Sequence, residues 1–171
     1  MTNPTTLLFL RHMQTTGEGS DPPLSEEGKN QLDQIASVLR QYPISRVYSS
    51  DLWRAVQPAQ SLAKNLGVPF QSCSALREIR SNLEFPQPAT SDTRGGENVN
   101  KFDERISRAI DGIVDQNEHE HIVVVAHSGT IRAAIRHLLE LPLPSFELPS
   151  VSHGGLIILT RDASGMWQSR I

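Results

Sequence analysis

Five side chains suited to moving a phosphoryl group stand just past short apolar runs of this sequence. Arg11 and His12 follow TLLFL, Arg54 comes a few residues after SRVYS, Glu78 closely follows VPFQSC, and His127 directly follows HIVVVA. Guanidinium groups grip phosphate oxygens bidentately, a neutral imidazole can attack phosphorus, and a carboxylic acid can protonate the departing oxygen. Taken singly, each residue has a plainer reading: Arg11 and Arg54 as solvated charges, His127 as a strand cap, Glu78 as an exposed carboxylate. Their recurrence at one kind of place argues for a shared site.

The elements that must position them follow from the apolar pattern. TLLFL, SRVYS, VPFQSC, HIVVVA and GLIILT are short, rich in branched or aromatic residues and bounded by turn formers, so they read as strands, several of them buried on both faces. Leu32, Ile35, Ala36 and Leu39 share one helical face, and Val99, Phe102, Ile106, Ala109, Ile110 and Ile113 share another. Ser25 before Glu26 and Glu27 is a helix start, and a further helix follows His127 through Ile131, Ala134, Ile135 and Leu138. Strands alternating with helices give an α/β fold, expected here as one single-domain, three-layer α/β/α sandwich over residues 1–171. Its sheet is mainly parallel, with GLIILTRDASGMWQSRI as an antiparallel C-terminal edge. In open sheets of this kind ligands sit beyond the carboxyl ends of the strands. The backbone amides opening the helix after His127 offer an anion site there.

Local details carry further expectations. Pro58 suits a first helical turn, which puts Arg54 on a short separate turn before the helix proper. A second Arg-His pair, Arg136-His137, has helical neighbours and reads as mid-helix without a functional role. Trp53 and Trp167 read as packing residues, Cys73 as a small residue near a strand, and LELPLPSFELPS as a connection between helix and strand. His119 and His121 have strand spacing but no evident third ligand, so they read as a polar strand entrance rather than a metal site.

LRHMQT, LSEEGKNQ, YSSDLWRAVQP, LREI, GGEN and VVVAHSGTIR, in this order across most of the chain, resemble the successive motifs of the histidine phosphatase superfamily, in its phosphoglycerate mutase-like branch. Matched position by position, the resemblance implies that His12 is the nucleophile that becomes phosphohistidine. It implies that Arg11, Arg54 and His127 bind phosphate, with Thr15 and Ser128 joining them, and that Glu78 donates the proton to the leaving alcohol. His127 counts among the catalytic residues as well as the phosphate ligands. Water activated by the same carboxylate then cleaves the phosphohistidine, and neither metal nor cofactor is needed. With Glu78 as acid, activity is expected to fall toward alkaline pH.

The chain departs from the family pattern at three places. Met13 stands where the family has glycine after the first histidine, and a methionine there is expected to shift the loop or narrow the pocket. Ser128 replaces the first of two glycines after the second histidine, and IRSNLEFPQP keeps only an echo of the segment after the acid, which makes Glu84 the alternative acid. These departures leave two rivals beside a phosphomonoester hydrolase: a noncatalytic relative that binds a phosphorylated ligand or protein, and a mutase. A mutase must shield its intermediate from water, and the loop from about residue 80 to 96 is the only segment available for that.

Composition bounds the partners. A chain of 171 residues with 37% hydrophobic content supports one core. Its net charge of -3 gives no basic field for nucleic acid, and no apolar run approaches the length that spans a membrane. The resemblance implies a substrate that is a phosphorylated small molecule or a phosphoprotein. The stretch MTNPTTLLFLRH lacks a basic start and reads as mature protein, and Cys73 as the only cysteine suits a reducing cytoplasm.

Overall fold

The computed structural model describes residues 3–79, 97–142, 148 and 150–170. Its elements run β1 (Thr6–Arg11), α1 (Glu26–Leu39), β2 (Ile44–Ser49), α2 (Trp53–Leu66), β3 (Phe70–Ser72), a 3-10 turn (Ser74–Leu76), α3 (Val99–Gln116), β4 (His121–Ala126), α4 (Ser128–Leu138), β5 (Leu156–Arg161) and β6 (Trp167–Arg170). The strands form one sheet in the order β3-β2-β4-β1-β5-β6. β1, β2, β3 and β4 are mutually parallel, whereas β5 runs antiparallel to β1 and to β6. The α/β architecture with an antiparallel C-terminal edge is as the sequence pattern predicts.

The strand sequences explain the two helical layers. Side chains alternate across a strand, so a run apolar at every position must be covered on both faces. In β1, Leu7 and Phe9 join a core with Ile106, Ile110 and Ile131 of α3 and α4, while Leu8 and Leu10 join a core with Leu32, Leu39, Ala59 and Leu62 of α1 and α2. Helix α1 begins as its sequence suggests: the Ser25 hydroxyl accepts from the Gly28 amide at 3.0 Å, with Glu26 and Glu27 in the first turn.

Three local expectations are corrected. Pro58 lies inside α2 rather than in its first turn, so Arg54 belongs to the helix itself. The proline lacks the N–H that would bond the Arg54 carbonyl, a loss of about 3 kcal/mol in an isolated helix. Here Pro58 is buried with Ala55, Ala59, Leu62 and Ala63 on the inner side of α2, and burial offsets such a loss. Arg136 and His137 occupy the last turn of α4, not its middle, where cations favour the helix dipole, and they pair with Asp103 and Asp111 of α3. Trp53 is about half exposed at the start of α2 and joins no core cluster among the described residues, in contrast to Trp167, which lies against the core. Cys73 is half-buried after β3, as expected, and among the described residues no helix is long and apolar enough to cross a membrane.

Candidate active site

Because β1, β2 and β4 are parallel and in close register, their carboxyl ends open on one edge of the sheet, with Arg11 opposite Ala126 and Ser49 opposite Val125. His12 extends the ladder by one bond, its amide donating to the Ala126 carbonyl at 2.9 Å. His127 is the residue from which α4 springs. Strand ends thus deliver both histidines, and their rings meet edge to face with centroids 5.2 Å apart.

Both rings are buried, His12 to 7% exposure and His127 to 2%. His12 Nδ1 lies 2.9 Å from the Met13 carbonyl, which can only accept, so Nδ1 carries the proton and Nε2 keeps its lone pair. Burial is the main reason the His12 pKa falls to about 4; the Met13 carbonyl opposes it, and the charges of Arg54, His153 and Arg11 add to it. Burial likewise takes His127 down to about 3, followed by the influence of His12, Arg54 and Arg11. At neutral pH both imidazoles are therefore uncharged, and the first presents a free nitrogen, as an attacking base requires.

The cations surround this pair. Arg11 Nη1 donates to the Val151 carbonyl at 2.6 Å and Nη2 lies 3.1 Å from His153 Nε2. Two buried nitrogens next to these contacts, Arg11 Nε and His127 Nε2, have no hydrogen-bond partner among the described residues. Buried polar atoms are normally satisfied, so orphans beside a histidine pair suit an anionic ligand that would bond them. Arg54 is held from the far side by Asp21, whose Oδ1 accepts from both its amide and its Nη1 at 3.1 Å. Arg77 and Asp51 form a bidentate pair at 2.6 and 2.7 Å in the same region, Asp51 being close enough to act on the His127 charge.

Glu78 follows the 3-10 turn rather than the strand directly, and it packs at the start of α4. Its Oε2 accepts from the Gly129 amide at 2.8 Å and its Oε1 from the Ile79 amide at 2.9 Å. The carboxylate thereby takes one of the amides that the sequence reading assigned to an external anion. Ser128 opens α4 immediately after His127, half-buried. Thr15 is paired with Leu24 by an isolated antiparallel bridge, and the structure shows no hydrogen bond from it to the histidines among the described residues. Glu84 and the segment 80–96 lie outside the described residues.

Met13 does not narrow the pocket. Its backbone avoids positive φ and its side chain is fully buried with Leu8, Leu10 and Leu24 in the core beneath α1 and α2. A residue after His12 points to the opposite face of the extended chain, so the methionine fills the core while its carbonyl aligns the His12 ring.

One residue of the site is absent from the sequence reading. His153 has its ring centroid 5.2 Å from that of His12. A search confined to strand carboxyl ends misses it, because β5 is antiparallel and brings its start to this edge: Leu156 pairs with Leu10. The predicted antiparallel C-terminal edge was the signal that could have found it. No group of His, Cys, Asp and Glu residues with metal-site geometry occurs among the described residues.

Known proteins share this arrangement of the chain. The pattern of the histidine phosphatase superfamily, branch 1, matches residues 7–82 and 81–170. The chain is 28% identical to phosphoglycerate mutase-like protein 4 of Arabidopsis thaliana, over 74% of this chain and 68% of that one. It superposes on a mycobacterial glucosyl-3-phosphoglycerate phosphatase, solved in complex with VO3, with TM-score 0.83 and 26% identity over 97% of each chain. It shares the fold of YhfR from Bacillus stearothermophilus, with TM-score 0.86 and 21% identity over 98% of this chain and 96% of that one. Two of these relatives are a phosphatase and a mutase-like protein by name, and the chain belongs to the histidine phosphatase superfamily, branch 1.

Proposed function

We propose that the chain hydrolyses phosphomonoesters through a phosphohistidine on His12, without metal or cofactor. The observation that carries this reading is the buried, uncharged histidine pair flanked by nitrogens of Arg11 and His127 that have no partner among the described residues. Nε2 of His12 attacks phosphorus while the ester oxygen departs with a proton from Glu78; the nitrogen's lone pair forms the P–N bond as the P–O bond breaks. Arg11 and Arg54 neutralise the equatorial oxygens and His127 donates a hydrogen bond to them, with Thr15 and the α4 start, at Ser128, bordering the phosphate. Water then attacks the phosphohistidine, giving a proton to Glu78 and releasing phosphate and His12. The substrate is a phosphorylated small molecule or phosphoprotein, met in the cytoplasm.

Support for turnover over mere binding comes from Met13, which is buried in the core and leaves the His12 ring unobstructed. The test is phosphate release from a panel of phosphomonoesters in the presence of a chelator, wild type against His12→Ala. Chelator-resistant release that the variant loses supports the reading. A protein that binds vanadate but releases no phosphate overturns it in favour of a binding module. Isomerised ester without free phosphate overturns it in favour of a mutase.

A further inference from the structure

The segment that enters β5 holds Arg11 by backbone and side chain together. The Arg11 amide donates to the Gly155 carbonyl at 3.0 Å, the Gly154 amide donates to the Arg11 carbonyl at 3.2 Å, and the Val151 carbonyl accepts from Nη1. His153 completes the wrap on Nη2. A guanidinium has only donors, so His153 Nε2 must offer a lone pair, which leaves its proton on Nδ1.

We propose that His153 is a positioning residue for Arg11: its neutral imidazole, with the Val151 carbonyl, fixes the guanidinium beside the histidine pair and leaves the buried Nε–H for the substrate's phosphate. The inference rests on the phosphatase reading and adds to it the residue that aims one of its cations. His153 acts through the nitrogen that Arg11 Nη2 engages. Arginine needs such help here, since a long side chain held at one nitrogen can swing away, whereas two acceptors fix the plane of the fork.

The contact is sensitive to protonation. Among the described residues, the titratable groups beside His153 are Arg11 of β1 and His12 just beyond it, and the uncharged Gln31 of α1 lies beside Gly154. Burial and the Arg11 charge both depress protonation of His153. Once protonated, the ring has no lone pair for Nη2 and repels it, so Arg11 loses its alignment on the acid side.

Two measurements test the proposal. Long-range proton–nitrogen spectra of the histidine rings, with His153 assigned by its loss in His153→Gln, should show the Nδ1–H tautomer in the wild type at neutral pH. An Nε2–H tautomer overturns the pairing. In steady-state assays, His153→Ala should raise both KM for a phosphomonoester and the vanadate dissociation constant by about tenfold. His153→Gln, whose Oε1 can replace Nε2, should restore both to within about twofold and remove the His153 step from the acid limb of the pH profile. Equal impairment of the two variants, or no impairment in His153→Ala, overturns the positioning role. Failure of the phosphatase reading shows differently, as a wild-type chain that releases no phosphate from any ester, whatever tautomer the spectra report and whatever the vanadate affinities of the variants.

Discussion

Glu78 and Gly129 are built around each other: the Gly129 amide donates to Glu78 Oε2 at 2.8 Å, and a Cβ at position 129 would fall 2.3 Å from Oε1. The glycine is needed because the carboxylate occupies the space a side chain would take. Gly129→Ala must therefore displace Glu78, the acid of the proposed reaction. General acid catalysis contributes about 10²–10⁴ where the leaving group is a strong base. The variant should lose about 10² in kcat on an alkyl phosphate and much less on p-nitrophenyl phosphate, whose phenolate leaves unaided. Equal losses on the two esters would remove Glu78 from the acid's role.

The histidine pair should make the fold acid-sensitive. His12 and His127 have folded pKa values of about 4 and about 3 against 6.5 in the unfolded chain, so below pH 6.5 the unfolded chain binds protons that the folded chain refuses. Stability is thus lost as pH falls from 6.5 toward those folded values. Between pH 6.5 and pH 5 each histidine accounts for about 2 kcal/mol of that loss. Urea unfolding at pH 7 and pH 5 should show His127→Gln losing about 2 kcal/mol less than the wild type. Identical losses would mean that the His127 ring takes up its proton freely in the folded chain.

The strand ends were legible in the sequence because strand carboxyl ends of a parallel sheet share one edge, and Arg11, His12 and His127 lie there by position alone. What the sequence hid was everything set by approach between distant segments. Gly28 looks like a weak helix former inside α1, yet a Cβ there would lie 2.0 Å from the Gln14 carbonyl, so the residue is chosen by the chain passing over it. Pro58 looks like a helix start because propensity sees the missing N–H and not the burial of the ring within α2. Met13 looked like an intruder at a phosphate site because sequence reports the neighbour and not the face. His153 was hidden by strand direction, a property of pairing rather than of composition.

Asp21 should stabilise α2 from outside it. The N-cap residue Leu52 has no capping side chain, and Asp21 instead accepts from the Trp53 amide at 2.5 Å and the Arg54 amide at 3.1 Å. Loss of a cap costs about 0.5–2 kcal/mol, so Asp21→Ala should lower the unfolding free energy by about that amount, with Asp21→Asn recovering part of it. Chemical denaturation measures both. Unchanged stability in Asp21→Ala would mean that solvent caps α2 as well as the carboxylate does.

Met13→Gly, the change toward the family's usual residue, should harm this chain. The Met13 side chain is fully buried among Leu8, Leu10 and Leu24, so its removal opens a cavity between the sheet and the α1 and α2 layer. Buried methionine to alanine costs about 2–5 kcal/mol, and glycine adds about 0.5–1 kcal/mol through backbone entropy. The native φ at this position is one that any residue adopts, so glycine brings no relief of strain in return. Its carbonyl also aligns His12 Nδ1, and a looser backbone would let that ring turn. Thermal unfolding should show a lowered midpoint, and kcat/KM on phosphomonoesters should stay level or fall. A glycine variant as stable as the wild type and faster would mean that methionine does obstruct the site and that its burial contributes little to the fold.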